Sequence, residues 1–199
     1  MDERRSHLRL GRLRVLRQAV HPRKLCRGVI LRDPQRSEFD ALVTLWHEGW
    51  RDAHLAMSPQ ELIRNRTADV FAQRLERKWT LTHVMGEVGA PQGFAVLEGP
   101  ELDQFYVARP VRGTGFATEF MTLIETVFRE RNILRPWLIC SVGNDRAARF
   151  YDKSGWENMG RQIGAVEIPG GTFELPVWRF EKTLPPAGSG GPIMQDQEQ

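Results

Sequence analysis

Residues 107–120 read VARPVRGTGFATEF and lie between a run with strand character and a run with helical periodicity. Two glycines, Gly113 and Gly115, stand where the helix should begin, and no acidic residue follows until Glu119. The first turn of a helix leaves backbone N–H groups without intrahelical acceptors, and the aligned peptide dipoles add about half a positive charge there. A phosphate or pyrophosphate satisfies both. Gly113 and Gly115 remove the Cβ atoms that would hold an anion at a distance, and Arg112 supplies a charge. The alternative is a tight strand-to-helix turn that needs glycine only for its backbone angles, with Arg112 a solvated surface residue. Two common phosphate fingerprints are missing. GxxxxGK[ST] does not occur, and GTGFAT has Thr118 where a dinucleotide-binding turn needs a third glycine.

After this stretch, Phe116, Phe120, Leu123, Ile124, Val127 and Phe128 recur at helical spacing to about Arg131, and Pro136 blocks extension. WLICSV (137–142) is nearly continuous in apolar residues and reads as a central strand, so strand, helix and strand form a parallel crossover. DRAARFYDKSG (145–155) is a second short helix closed by Gly155. Two strands, near 156–166 and 172–182, follow. Before the quoted stretch, LTHVMGEV (81–88), QGFAVLEG (92–99) and ELDQFYVA (101–108) are three strands whose turns are short enough to require antiparallel neighbours. GVILRD (28–33) is a further short strand. A helix capped by Ser37 carries Phe39, Leu42, Val43, Leu45, Trp46 and Trp50 on one face, and a second helical pattern spans 59–78. The chain has no internal repeats, and its elements predict an α+β fold around a mixed sheet.

Charge is uneven. Up to Gly28 there are nine Lys/Arg against Asp2 and Glu3, whereas the remainder holds nineteen basic and twenty-three acidic residues. The basic character therefore belongs to an arm, residues 1–27, and PPAGSGGPIMQDQEQ from Pro185 has the composition of a disordered tail. The folded domain is expected over 28–184. No apolar run approaches the ~18 residues of a membrane span and none resembles a secretory signal, which predicts a cytoplasmic protein. Cys26 and Cys140 lie far apart and read as reduced thiols. The arginine-rich arm could contact nucleic acid through phosphates, or be a solvated extension; no aromatic residues interleave its arginines. A metal is not expected, since HEGWR (47–51) lacks the second histidine of HExxH and the five histidines do not cluster.

RGTGFA (112–117) resembles the acetyl-CoA signature of the GCN5-related N-acetyltransferase (GNAT) superfamily, Gln/Arg-x-x-Gly-x-Gly/Ala. ICSVGNDRAARFYDKSGW (139–156) resembles the same family's second signature of Asn, Ala, Phe-Tyr and Gly-Phe. The resemblance implies an α/β/α acyl-CoA N-acyltransferase fold, its mostly antiparallel sheet splayed at a parallel pair of strands, with acetyl-CoA as cosubstrate. It also implies that the backbone of Phe105, Tyr106 and Val107 bonds the pantetheine and acetyl carbonyl. Arg112, Gly113, Thr114, Gly115, Phe116, Ala117 and Thr118 would wrap the pyrophosphate, and Asn144 and Tyr151 would lie along the pantetheine toward the sulfur. Acyl transfer develops an oxyanion, and a backbone N–H at a strand irregularity near Val107 would contribute about 3 kcal/mol to its stabilisation. Tyr151 is the expected acid for the departing thiolate, since a phenol near pKa ~10 can donate a hydrogen bond to a thiolate near ~8.5. Against these stand two structural roles: Tyr151 as a core aromatic, and Asn144 as a helix cap.

An amine of pKa near ~10 must lose a proton, which costs roughly 4 kcal/mol at pH 7. Some family members carry a carboxylate five residues before the Asn, but Ile139 stands there. Asp103 is the preferred substitute, then His54, then Glu87. Trp46, Trp50 and His54 recur every fourth residue and predict a substrate-binding face, with core packing the alternative for Trp46. The hairpin VEIPGGTFELPVW (166–178) would be the opposite wall. The expected function is direct acetyl transfer to a primary amine, a small molecule or a peptide, by a monomer or homodimer. The alternatives are a module that binds acetyl-CoA without turnover and a polyanion-binding protein acting through the arm.

Overall fold

The structure, a computed structural model, describes residues 30–187 and the two-residue strand Arg23–Lys24. The rest of the expected arm and residues 188–199 lie outside the described residues. Eight strands form one sheet in the order β1-β2-β3-β4-β5-β6-β8-β7. The strands are β1 (Arg23–Lys24), β2 (Ile30–Arg32), β3 (Thr82–Glu87), β4 (Ala90–Glu98), β5 (Glu101–Val107), β6 (Trp137–Ser141), β7 (Glu157–Ile168) and β8 (Gly171–Glu181). Only β5 and β6 are parallel. Because β1 pairs with β2, the sheet reaches into the segment read as a basic arm.

The pleat of β4 divides the core. Ala95 and Leu97 face α4 (Phe116–Glu130) and α5 (Asp145–Lys153), in a cluster with Phe120, Ile124, Phe128, Trp156 and Phe180. Phe94 and Val96 face α1 (Phe39–His54) and α3 (Ala68–Lys78), in a cluster with Leu42, Trp46, Phe71 and Leu75. This is the strand period of two seen from both sides, and it makes three layers, helix on sheet on helix.

Two helix boundaries differ from the sequence reading. Ser37 does not cap α1. A 3₁₀ turn, Arg36–Glu38, precedes the helix, and Glu38 closes a capping box with Gln35. Glu38 is buried because Arg32 grips its carboxylate at 2.7 Å through both terminal nitrogens, while the N–H of Gly89 donates to it at 3.0 Å. The helical pattern over 59–78 breaks into α2 (Gln60–Arg64) and α3. Thr67 provides the reason: its hydroxyl accepts the Val70 N–H at 3.4 Å, ending one helix run and starting another. The break drops Arg66 into a connection beneath the sheet.

The outer end of α4 is tied down by one carboxylate. Glu125, 7% exposed, accepts hydrogen bonds from Trp156 Nε1 at 3.0 Å and Lys182 Nζ at 2.8 Å. Removing it strands the Trp156 indole N–H in the interior and leaves the half-buried Lys182 ammonium with only the Ser154 carbonyl. Glu125→Ala should therefore cost roughly 3 kcal/mol, and thermal denaturation should register a fall in Tm of roughly 6–12 °C for a domain of this size.

Candidate active site

The sheet opens where β5 and β6 meet. The two strands pair at a single register position, Glu101 with Trp137, and then diverge. The β4–β5 ladder shifts register between Val96 and Leu97, leaving Asp103 as an extra residue on β5. A bulge of this kind bends a strand and frees its outward backbone groups. From Gln104 to Val107 the ladder is regular again, and the Ala108 N–H donates to the Gln92 carbonyl at 2.8 Å. Antiparallel alternation then sends the N–H groups of Phe105 and Val107 away from β4 and into the gap. The irregularity expected near Val107 thus sits four residues earlier, at Asp103.

One wall of the gap is built by the stretch after β5. Gly113 and Gly115 have φ of +78° and +91°, and a Cβ on either would meet no protein atom within 4 Å. Their backbone angles demand glycine, and the space before them is open to a ligand. Gly115 begins α4 without a side-chain cap, so the N–H groups of Phe116, Ala117 and Thr118 point forward unpaired by the helix. Thr114 turns its hydroxyl back to the Val111 carbonyl at 2.8 Å, and the Phe116 side chain is buried in the core. Arg112 is held in place: Nε donates to the Val107 carbonyl and Nη1 to Asp52, each at 2.9 Å. Arg109 also grips Asp52. These two arginines hold the Asp52 carboxyl far below its ordinary range.

Deeper in the gap, Asn144 begins α5 and accepts the Ala147 N–H at 3.2 Å, so it is a cap that also lines the cleft. Tyr151 lines the same cleft, is 9% exposed and packs at 5.6 Å against both Phe150 and Phe180. Burial, then the neighbouring Cys140 and Tyr106, push its phenol well above the ordinary value. It keeps its proton at neutral pH. Phe105 is sandwiched between Phe120 at 4.9 Å and Phe150 at 5.7 Å, which fixes the strand edge that carries its N–H.

The opposite wall comes from α1, the α2–α3 connection and the β7–β8 hairpin, which together enclose a cleft of about 510 Å³. Trp50 and His54 line it and stack at 5.7 Å. Burial, then the charges of Arg66 and Arg146, lower His54 to about 4, so it is a neutral imidazole. Tyr106 also lines this side, stacks on Phe94 at 5.6 Å and packs against the bare Cα of Gly49, where a Cβ would lie 2.5 Å from its ring. Burial raises its phenol to about 12. At the floor, Asp103 pairs with Lys78 at 2.9 Å. Glu101 is pushed up to about 7, first by burial and then by the charge of Asp103.

The model of the acetyltransferase (GNAT) family matches residues 40–156. The chain belongs to that family. Solved structures of similar fold include a GCN5-related N-acetyltransferase from Rhodopseudomonas palustris, 24% identical with a TM-score of 0.60, covering 77% of this chain and 94% of that one. The PaiA N-acetyltransferase of Thermoplasma acidophilum in complex with coenzyme A is 15% identical with a TM-score of 0.56, covering 78% and 98%. Spermidine N-acetyltransferase from Vibrio cholerae, in complex with CoA and spermine, is 17% identical with a TM-score of 0.55, covering 78% and 95%. No curated protein sequence was found to match.

Within this GNAT domain the expected site residues separate. Phe105, Tyr106, Val107, Arg112, Gly113, Ala117, Asn144, Tyr151, Asp103, Trp50 and His54 all line one cleft. Trp46 does not: it is fully buried between Phe71 and Phe94, its Nε1–H donating to Gln104 at 3.1 Å, and it belongs to the core. Glu87 ends β3 as an exposed residue and lies outside the cleft. Sequence reasoning passed over Glu101, Arg66 and Arg74, which line the cleft, and Asp52, which holds its loop. Their signals are depth and long-range neighbours, which no local pattern carries. Among the described residues there is no helix long and apolar enough to cross a membrane and no group of three metal-binding side chains.

His54 and His83 are both lowered to about 4, each first by burial. Such a group is protonated more readily unfolded than folded, so its contribution is complete above pH 6.5 and fades as pH falls toward 4. Between pH 7 and 5 each should remove roughly 2 kcal/mol of stability. Denaturation curves across that range should show the loss, and His54→Phe should flatten the slope.

Proposed function

We propose that the protein is an N-acetyltransferase that moves the acetyl group of acetyl-CoA directly to a primary amine held in the same cleft. The observation that carries this reading is the gap itself: a cleft between β5 and β6 with backbone donors on one side and an uncapped helix start at its mouth. The residues fit the cosubstrate. The N–H groups at 116–118 and Arg112 suit a pyrophosphate, and the strand edge at Phe105 and Val107 suits the amides of a pantetheine arm. Acetyl-CoA, when bound, supplies an activated thioester.

The chain's own residues then divide the work. The outward N–H groups of β5 stabilise negative charge on the acyl oxygen, an effect worth about 3 kcal/mol per well-placed donor. Tyr151, proton in place, donates from its hydroxyl toward the thiolate that departs. On the acceptor side Glu101 takes the amine's proton. Its near-neutral carboxyl is better matched to that task than the Lys78-paired Asp103, whose charge helps to raise it. His54 is too weak a base near pKa 4 and serves as a neutral wall of the acceptor pocket.

Calorimetric titration of acetyl-CoA and CoA into the full chain should give saturable binding, and Gly115→Trp should abolish it by filling the space before α4. Tyr151→Phe should retain binding and lower kcat roughly 100-fold. A folded wild-type protein that binds neither nucleotide would sink the proposal. The pH profile of kcat/KM should fall below about pH 7 as Glu101 takes up a proton. In Glu101→Gln that limb should disappear together with most of the activity, whereas His54→Gln should leave its midpoint in place.

A further inference from the structure

The acceptor end of the cleft carries more positive charge than the protein neutralises. Arg66 is the clearest case. It is 5% exposed and lines the cleft, yet among the described residues no carboxylate forms an ion pair with it, and Glu167, which pairs with Arg74 and Arg77, acts on it only at longer range. Its Nη1 donates to the Glu167 backbone carbonyl at 2.6 Å, while its Nε is buried without an acceptor. Arg74, equally buried, shares the one carboxylate of Glu167 with Arg77. Arg146 lines the rim of the same cleft, exposed to solvent, and forms no ion pair among the described residues. The other cleft cations are matched, Lys78 by Glu98 and Asp103, and Arg112 by Asp52.

A buried guanidinium without a paired counter-ion is costly, and buried charges are ordinarily paired. Burial and the like charge of Arg74 bring Arg66 down to about 10, which still leaves it protonated at neutral pH. The indole of Trp50, 5.8 Å from the Arg66 guanidinium, offers only a weak substitute. A planar fork with free donors matches a carboxylate, which can accept two of them together.

We propose that the acceptor is an amine bearing an anionic group, specifically a carboxylate as in a free amino acid, and that Arg66 is the residue that anchors it. The inference rests on the acetyl-transfer reading of the cleft. It predicts discrimination by charge: a polyamine would set further cations against Arg66, Arg74 and Arg146, whereas a carboxylate neutralises them. Trp50 and the neutral His54 form the apolar wall beside the anchor.

The test incubates the full chain and acetyl-CoA with the common amino acids, their α-carboxamides, phosphoethanolamine and spermidine, and follows acetylated products by mass spectrometry. At least one amino acid should be acetylated with kcat/KM roughly 10- to 100-fold above its amide, the ratio expected when a charge-assisted pair is lost. Arg66→Met should raise KM for that acid by a similar factor, with kcat within a few-fold and the acetyl-CoA affinity unchanged, and Arg66→Lys should recover part of the loss. Should Arg66→Met fail to fold, the acid-to-amide ratio in the wild-type protein decides alone. Acetylation of amides or spermidine in preference to acids overturns the inference and leaves acetyl transfer intact. A preference for phosphoethanolamine keeps the anion anchor but overturns the carboxylate. Failure to acetylate any amine, with acetyl-CoA bound, overturns the transfer reading itself.

Discussion

Everything in this molecule is arranged around two parallel strands that stop pairing after one residue. A sheet interior that leaves backbone N–H and C=O groups unpaired is normally excluded, because each such group loses its hydrogen bonds to water without replacement. Here the loss is localised by the bulge at Asp103 and by the divergence of β6 from β5. The surrounding structure holds the edge in place in spite of this. Phe105 is clamped between two aromatic rings on one face, and Tyr106 is pressed onto Gly49 and Phe94 on the other. The unsatisfied edge lines the cleft.

The two walls of the cleft differ in how they treat charge. On the α4–α5 side, backbone dipoles and a neutral phenol face the gap, so polarity is present without a permanent charge at depth. On the α1–α3 side, burial and then the charge of Arg74 lower the affinity of Arg66 for its proton, and burial keeps the nearby His54 uncharged. One wall of the cleft thus presents neutral dipoles and the other buried cationic charge.

Legibility in the sequence followed the range of the forces involved. Gly113, Gly115 and the Asn144–Gly155 helix are dictated by backbone angles and caps, which act over a few residues, and they stood out in the letters. The strand and helix succession was legible for the same reason, since periods of two and 3.6 are local. The break at Arg66 was hidden because Ile63 and Val70 keep up an apolar rhythm across it. Trp46 and Trp50 share a face and a period but not a depth: the stripe that a helix buries is wider than the cleft it borders. Glu101 owes its altered acidity to burial at the strand crossing, and Arg66 meets Glu167 across 101 residues of chain.

The carboxylate of Asp52 lies on α1, yet Arg109 and Arg112, in the stretch between β5 and α4, converge on it. One anion thus fastens the two walls of the cleft across 57 and 60 residues of sequence. The position of the stretch before α4 is therefore coupled to that of α1, and a change of charge at Asp52 acts on both walls of the cleft at once.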